Sequence, residues 1–124
     1  MSFNFSNDTP IYLQIAELIK KQIISGTYSP GDKLPSVREL SANLKANPNT
    51  VQKALSDLED EGLIVTLRTN GKFVTDNKNI ISEKKDATVK KAVEDFFTKM
   101  QELGLSEQEI KGLLVDNKEQ KWVF

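Results

Sequence analysis

Side chains able to do chemistry are unevenly supplied in this 124-residue sequence, which has no cysteine and no histidine. Their absence removes thiolate nucleophiles, disulfides, the usual general base and the commonest zinc ligands, leaving carboxylates and lysines for acid–base work. No phosphate-binding glycine loop is present, neither a resident cofactor nor a metal is expected, and an enzyme is disfavoured. What stands out is the run ANPNTVQKALSDLEDEG, residues 46–62, which opens with Asn47, Asn49, Thr50, Gln52 and Lys53 and closes with Asp57, Glu59, Asp60 and Glu61. Uncharged amides and hydroxyls of this kind suit base edges, because asparagine or glutamine can bond N6 and N7 of adenine together. Carboxylates repel phosphate, so the acidic end is expected to face away from any duplex. Those acids could suggest a metal, but consecutive helical positions diverge around the axis, and a solvated helix end is the expected reading.

The net charge is −1, against the basic excess usual for a partner of nucleic acid. Its distribution says more. Lys33, Arg38, Lys45 and Lys53 face only Glu39 between residues 33 and 53, and Arg68 and Lys72 meet no acid between residues 64 and 75. These stretches carry +3 and +2, so the rest of the chain carries −6 and a neutral total conceals a basic face.

These residues need elements to position them. Ile11, Ile15, Leu18, Ile19 and Ile23 recur at helical spacing, with Thr9 as expected cap and Pro10 as expected first helical residue. TYSPGDKLP interrupts, and Ser36-Val-Arg-Glu39 is a capping box that starts a second helix, with Val37, Leu40 and Leu44 on its apolar face. That helix must end near Lys45, because Asn47 and Pro48 cap and open a third one. On the third helix Val51, Ala54, Leu55 and Leu58 share one side, opposite Asn49, Gln52, Lys53 and Ser56. Residues 63–67 and 72–75 read as strands around Asn70-Gly71, a pair that predicts a type I′ turn with positive φ at both positions. Residues 76–85 are polar apart from Ile80 and Ile81 and read as a linker. Beyond it Val89, Val93, Phe96, Phe97, Met100 and Leu103 make a stripe that stops at Gly104, and the capping box Ser106–Glu109 precedes Ile110, Leu113 and Leu114. Two helices lack the volume to bury both faces alone, so they need a partner surface, to which Trp122 adds.

The expected fold class is therefore mainly α with a small β hairpin: a winged helix-turn-helix over residues 1–76 and a two-helix dimerisation region over residues 77–124. In that plan the third helix enters the major groove, the second crosses the backbone, and the wing reaches phosphates or the minor groove. The run GTYSPGDKLPSVRELSANLKANPNTVQKALSDLEDEGLI, followed by TNGKFV, resembles the DNA-binding domain of GntR-family bacterial transcription regulators across nearly all of residues 10–75. The Asn-Pro-Asn-Thr start and the short helical tail are similar to the YtrA-like subgroup, whose tail serves mainly for dimerisation. Larger relatives carry a ligand-binding domain there, for which this sequence is expected to have no room. Carried over by position, the resemblance assigns DNA contact to Arg38, to Asn47, Asn49, Thr50 and Gln52, and to Arg68 and Gly71. Lys33, Ser36, Lys53, Asn70 and Lys72 complete the candidate DNA face. Pro48 stands where many members have arginine, and Thr69 and Lys72 replace a glycine and a threonine of the usual wing, so operator preference should differ.

Blander readings stand beside these. Arg38 alone is an ordinary surface arginine, a polar helix face is ordinarily just solvated, and Arg68 and Lys72 could simply blunt a strand edge. Phe96, Phe97, Trp122 and Phe124 could line an effector pocket, although aromatics at helical spacing more often pack. The sequence as a whole predicts a cytoplasmic homodimeric repressor, on the nucleoid when bound to a double-stranded DNA operator, with a small-molecule effector of unknown identity as a further candidate partner. No membrane association is expected, since no stretch nears the roughly 18 apolar residues of a span and no signal peptide pattern opens the chain. The alternative is a winged-helix protein–protein interaction module without specific DNA binding, which the near-neutral charge favours.

Overall fold

The computed structural model describes residues 4–119, with side chains through residue 115. The elements are α1 (Ile11–Ile24), α2 (Val37–Leu44), α3 (Pro48–Asp60), β1 (Ile64–Leu67), β2 (Gly71–Val74), α4 (Lys78–Glu102) and α5 (Glu107–Glu119). This is the expected class, mainly helical with one small antiparallel hairpin. Two compact units part between Lys85 and Asp86, so the first extends past the boundary expected at residue 76.

In the first unit α1 contributes Ile15, Ile19 and Ile23, and α3 contributes Val51, Ala54, Leu55 and Leu58. Leu34, Leu40, Leu63, Ile64 and Val74 close the same cluster. Each large side chain fully buried in this way contributes about 1.5–3 kcal/mol. The start of α1 differs from expectation: Pro10 is the N-cap, without a side-chain cap bond, and Thr9 does not cap. Gln14 instead ties the preceding segment to the helix, donating to the carbonyls of Thr9 at 2.8 Å and Ser6 at 2.9 Å and accepting from the Ser6 amide at 2.9 Å.

Helix α2 opens on the expected capping box, Glu39 N–H to Ser36 Oγ at 3.0 Å and Ser36 N–H to Glu39 Oε1 at 3.1 Å. It closes at Lys45, whose φ of 52° turns the chain left-handed while its amide donates to Ser41. The corner is held further by the Ala46 amide on the Ser41 carbonyl and by the Ser41 hydroxyl on the Ala46 carbonyl. Helix α3 then starts on Asn47, whose Oδ1 accepts from the Asn49 amide at 2.8 Å, with Pro48 at the first helical position.

The hairpin pairs Ile64 with Val74, Val65 with Phe73, Thr66 with Lys72 and Leu67 with Gly71. Its turn is not the expected two-residue type I′. Arg68, Thr69 and Asn70 form a three-residue loop, the Asn70 amide returns to the Leu67 carbonyl at 2.9 Å, and only Gly71 has a positive φ, of 104°. Gly71 follows that loop as the register partner of Leu67, and its positive φ is one that glycine takes without a side-chain clash. The segment before α2 lies along the other edge of β2, with Lys33 bridged to Phe73, the Leu34 amide on Lys72 O at 2.9 Å and the Val74 amide on Asp32 O at 2.8 Å.

The linker reading of residues 76–85 is corrected. Asn77 Oδ1 accepts from the amides of Asn79 at 3.0 Å and Ile80 at 3.4 Å, which caps α4, and Ile80 and Ile81 pack on the core. Two isoleucines suffice because they sit where helix and core meet. In the second unit the Leu105 amide returns to the Met100 carbonyl at 3.2 Å beyond the stop expected at Gly104. Ser106 and Glu109 then form the expected reciprocal cap at 3.1 Å in both directions. Val89, Val93, Phe96, Leu103, Leu113 and Leu114 are exposed, Phe97 and Met100 are half-buried, and Phe96 meets Phe97 edge to face at 5.7 Å. Ile110 is the exception among the expected dimer residues, being fully buried within the single chain. Trp122 lies outside the described residues.

Candidate nucleic-acid interface

Burial of Val51, Ala54, Leu55 and Leu58 fixes the rotation of α3, and the opposite face therefore points to solvent. Asn47, Asn49, Gln52, Lys53 and Ser56 are exposed on it, and Thr50 is half-buried at its edge. The N-terminus of α3 is itself a donor site. Pro48 has no N–H and the Asn49 amide is taken by Asn47, which leaves the Asn47 and Thr50 amides to face solvent or phosphate.

Arg38 is exposed in the first turn of α2 with no hydrogen bond or ion pair to its side chain among the described residues, which leaves its guanidinium available to a ligand. Lys33, Ser36, Asn70, Gly71 and Lys72 line one cleft between the start of α2 and the wing, with Glu39, Thr66 and Thr69 also in its wall. The β-bridge brings Lys33 there: a Cβ on Gly71 would sit 3.3 Å from Lys33 Cε. Arg68 and Asn70 are exposed at the hairpin tip. Ser36 serves as the α2 cap, and its backbone amide, then its hydroxyl, and more weakly Lys33, hold the Glu39 carboxyl below the ordinary glutamate range against a small opposing effect of burial.

Two expected cations have partners of their own. Lys53 Nζ lies over the Tyr12 ring, 3.9 Å from its centroid, which seats the ammonium against α1. Lys72 donates to Glu59 Oε1, and to Thr66 Oγ1 at 2.9 Å, with 17% of its side chain exposed. The Lys72 ammonium, aided by the Thr66 hydroxyl, keeps Glu59 ionised below the ordinary glutamate range, although partial burial works against it. Nor is the acidic end of α3 merely solvated. Glu59 is tied to the wing, and Glu61 pairs with Lys20 at 3.0 Å and Lys84 at 3.4 Å. Sequence spacing did not reveal Tyr12, Thr66 or these pairings, because each joins different elements whose meeting depends on how they pack. The cross-strand register of Thr66 and Lys72 was the one available signal.

A corner of two helices with an exposed amide-rich helix start, flanked by a basic hairpin, defines a winged helix-turn-helix of the DNA-binding regulator class. The family model described as bacterial regulatory proteins, gntR family, matches residues 11–74, and the chain belongs to that family. It is 41% identical over 110 residues to the uncharacterized HTH-type transcriptional regulator YhcF of Bacillus subtilis (strain 168), covering 89% of this chain and 91% of that protein. It is 48% identical over 85 residues to the HTH-type transcriptional repressor YtrA of the same organism, covering 68% of this chain and 65% of that protein. Among solved structures, a GntR family transcriptional regulator from Listeria monocytogenes superposes with a TM-score of 0.84 at 38% identity, covering 90% of this chain and 98% of that one. AraR(DBD) in complex with operator ORX1 aligns with a TM-score of 0.55 at 28% identity, over 60% of this chain and 95% of that one. The family supports a DNA-binding transcription regulator over the protein-interaction module that the near-neutral charge had allowed.

Proposed function

We propose that the chain is a transcriptional repressor that binds a pseudo-palindromic operator as a homodimer. The observation that carries the reading is the exposed start of α3, where Asn49, Thr50 and Gln52 follow an open helix N-terminus and the core packs behind them. In this reading Gln52 and Asn49 read base edges, while Arg38, Lys33 and Arg68 meet phosphates and fix the register. The likeness to a protein named a repressor, YtrA, supports the sign of regulation.

Dimerisation rests on the apolar side chains that the second unit leaves exposed. Val89, Val93, Phe96, Leu103, Leu113 and Leu114 form the proposed contact, with Phe97 and Met100 at its margin and Ile110 serving internal packing. Two copies would place their α3 helices in successive major grooves, about 34–36 Å apart. No helix among the described residues is long and apolar enough to cross a membrane, and we place the protein in the bacterial cytoplasm, on the nucleoid when bound. The test is selection from random duplex DNA by the purified chain. A two-fold symmetric consensus with half-sites one helical turn apart is expected; enrichment of no sequence, or of a single asymmetric half-site, refutes the proposal.

A further inference from the structure

We infer that Glu59 is a positioning residue for the wing, and that Lys72 is the strut it holds rather than a phosphate contact. Three elements converge on one carboxylate oxygen. Lys72 Nζ on β2 donates to Glu59 Oε1, the Thr66 hydroxyl on β1 donates to the same atom at 2.7 Å, and Lys72 also donates to Thr66 Oγ1 at 2.9 Å. Thr66 and Lys72 are register partners, and they flank the tip made by Leu67 through Gly71. The tie therefore grips both strands of the hairpin just below its tip and fastens them to the recognition helix.

Apolar packing cannot do this. The base of the hairpin is anchored by Ile64 and Val74, 2% and 1% exposed, but toward the tip Val65 is 42% exposed and Leu67 48%. A two-stranded ribbon is marginal alone, and the other tie at this level is the backbone along Lys33 and Leu34, which holds one edge of β2 and leaves β1 free. The Glu59 triad is what joins β1 to the body of the domain near the tip. It sets the direction in which Arg68 and Asn70 project relative to Asn49 and Gln52.

The inference rests on the DNA-binding reading, and bulk charge makes an opposite prediction. Glu59→Gln removes one negative charge from the DNA-binding unit, which by long-range electrostatics should tighten DNA binding. Release of the wing should weaken it. With the duplex obtained by selection as probe and random duplex of equal length as control, Glu59→Gln is expected to lose roughly three- to tenfold in operator affinity. Its slope of log K against log salt should fall by about 0.9 per chain as the Arg68 phosphate contact is lost. Lys72→Gln should give a similar loss, and the double variant should be no worse than either single, because both act through one contact. In an Arg68→Gln background, itself weakened, Glu59→Gln should cost nothing more. Thr66→Val, which retains a strand-forming residue at an exposed position, should weaken binding in the same direction, and thermal melts of every variant separate loss of fold from loss of contact. Unchanged or tighter binding by Glu59→Gln overturns the inference, as do additive losses in the double variant or parental affinity in Arg68→Gln. A parent chain that binds operator and random duplex alike overturns the DNA reading and this inference with it.

Discussion

Asn47 caps α3 and, in the proposed reading, also faces phosphate, and a pair of substitutions pulls the two apart. As N-cap it accepts from the Asn49 amide at 2.8 Å, the one side-chain bond that satisfies a donor at the start of α3. Asn47→Ala removes it, at a cost of about 1 kcal/mol. For a folding unit the size of residues 1–85, that shifts the melting temperature down by roughly 4–8 °C. Asn47→Asp keeps an equivalent acceptor and adds a negative charge at the positive end of the helix dipole, worth about 0.3–1 kcal/mol, so its melting temperature should match or exceed the parent's. DNA binding should move the other way. A carboxylate about 4 Å from a phosphate costs about 1 kcal/mol even in bulk water, a fivefold loss per half-site, and more where water is excluded. Thermal melts and fluorescence anisotropy on the same preparations read both effects. Asn47→Asp with parental operator affinity would show that the α3 start does not face phosphate, and Asn47→Ala with a parental melting temperature would show that the cap contributes nothing.

Other outcomes follow from the same geometry. Gly71→Ala forces a side chain onto a φ of 104° and against Lys33 Cε, so the hairpin should lose roughly 1–2 kcal/mol, visible as faster amide exchange in β1 and β2. Ile80→Ser should lower the urea midpoint of the first unit with its m-value intact, since Ile80 packs on the core; a midpoint unchanged would restore the linker reading. Because Glu59 is held ionised below its ordinary range by Lys72, its contribution is present above the unfolded glutamate value of about 4.3 and is lost as pH falls below it. Urea titrations at neutral and acid pH should therefore show a smaller acid loss for Glu59→Gln than for the parent. Arg38→Gln should reduce the salt slope of operator binding by about 0.9 per chain, and an unchanged slope would exclude a phosphate contact there.

Much of the recognition domain was legible because its signals are local. Ser36 with Glu39, Asn47 with Pro48, and the four apolar positions of α3 lie within a few residues of one another, where helix geometry alone decides who meets whom. Three local readings nevertheless failed, the first being Thr9 as the cap of α1. Asn70-Gly71 suits a two-residue turn, but the strand register set by Ile64 and Val74 in the core spaces the strands for a three-residue loop. Residues 76–85 looked too polar for an element, and the contribution of Ile80 and Ile81 became visible only with a core for them to touch.

Composition and periodicity along the chain were enough to exclude thiol and imidazole chemistry and to orient the amide-bearing face of α3 outward, while the resemblance of its motifs pointed to the GntR family. They could not assign partners to the charges. Lys72 and Glu59 are 13 residues apart and Lys20 and Glu61 are 41 apart, on elements whose meeting depends on how the whole core packs. A lysine reads the same in a string of letters whether it waits for a phosphate or is already held by a carboxylate. Coulomb attraction falls off within a few ångströms of water, so the fold, by setting those distances, settles which basic groups remain available to DNA.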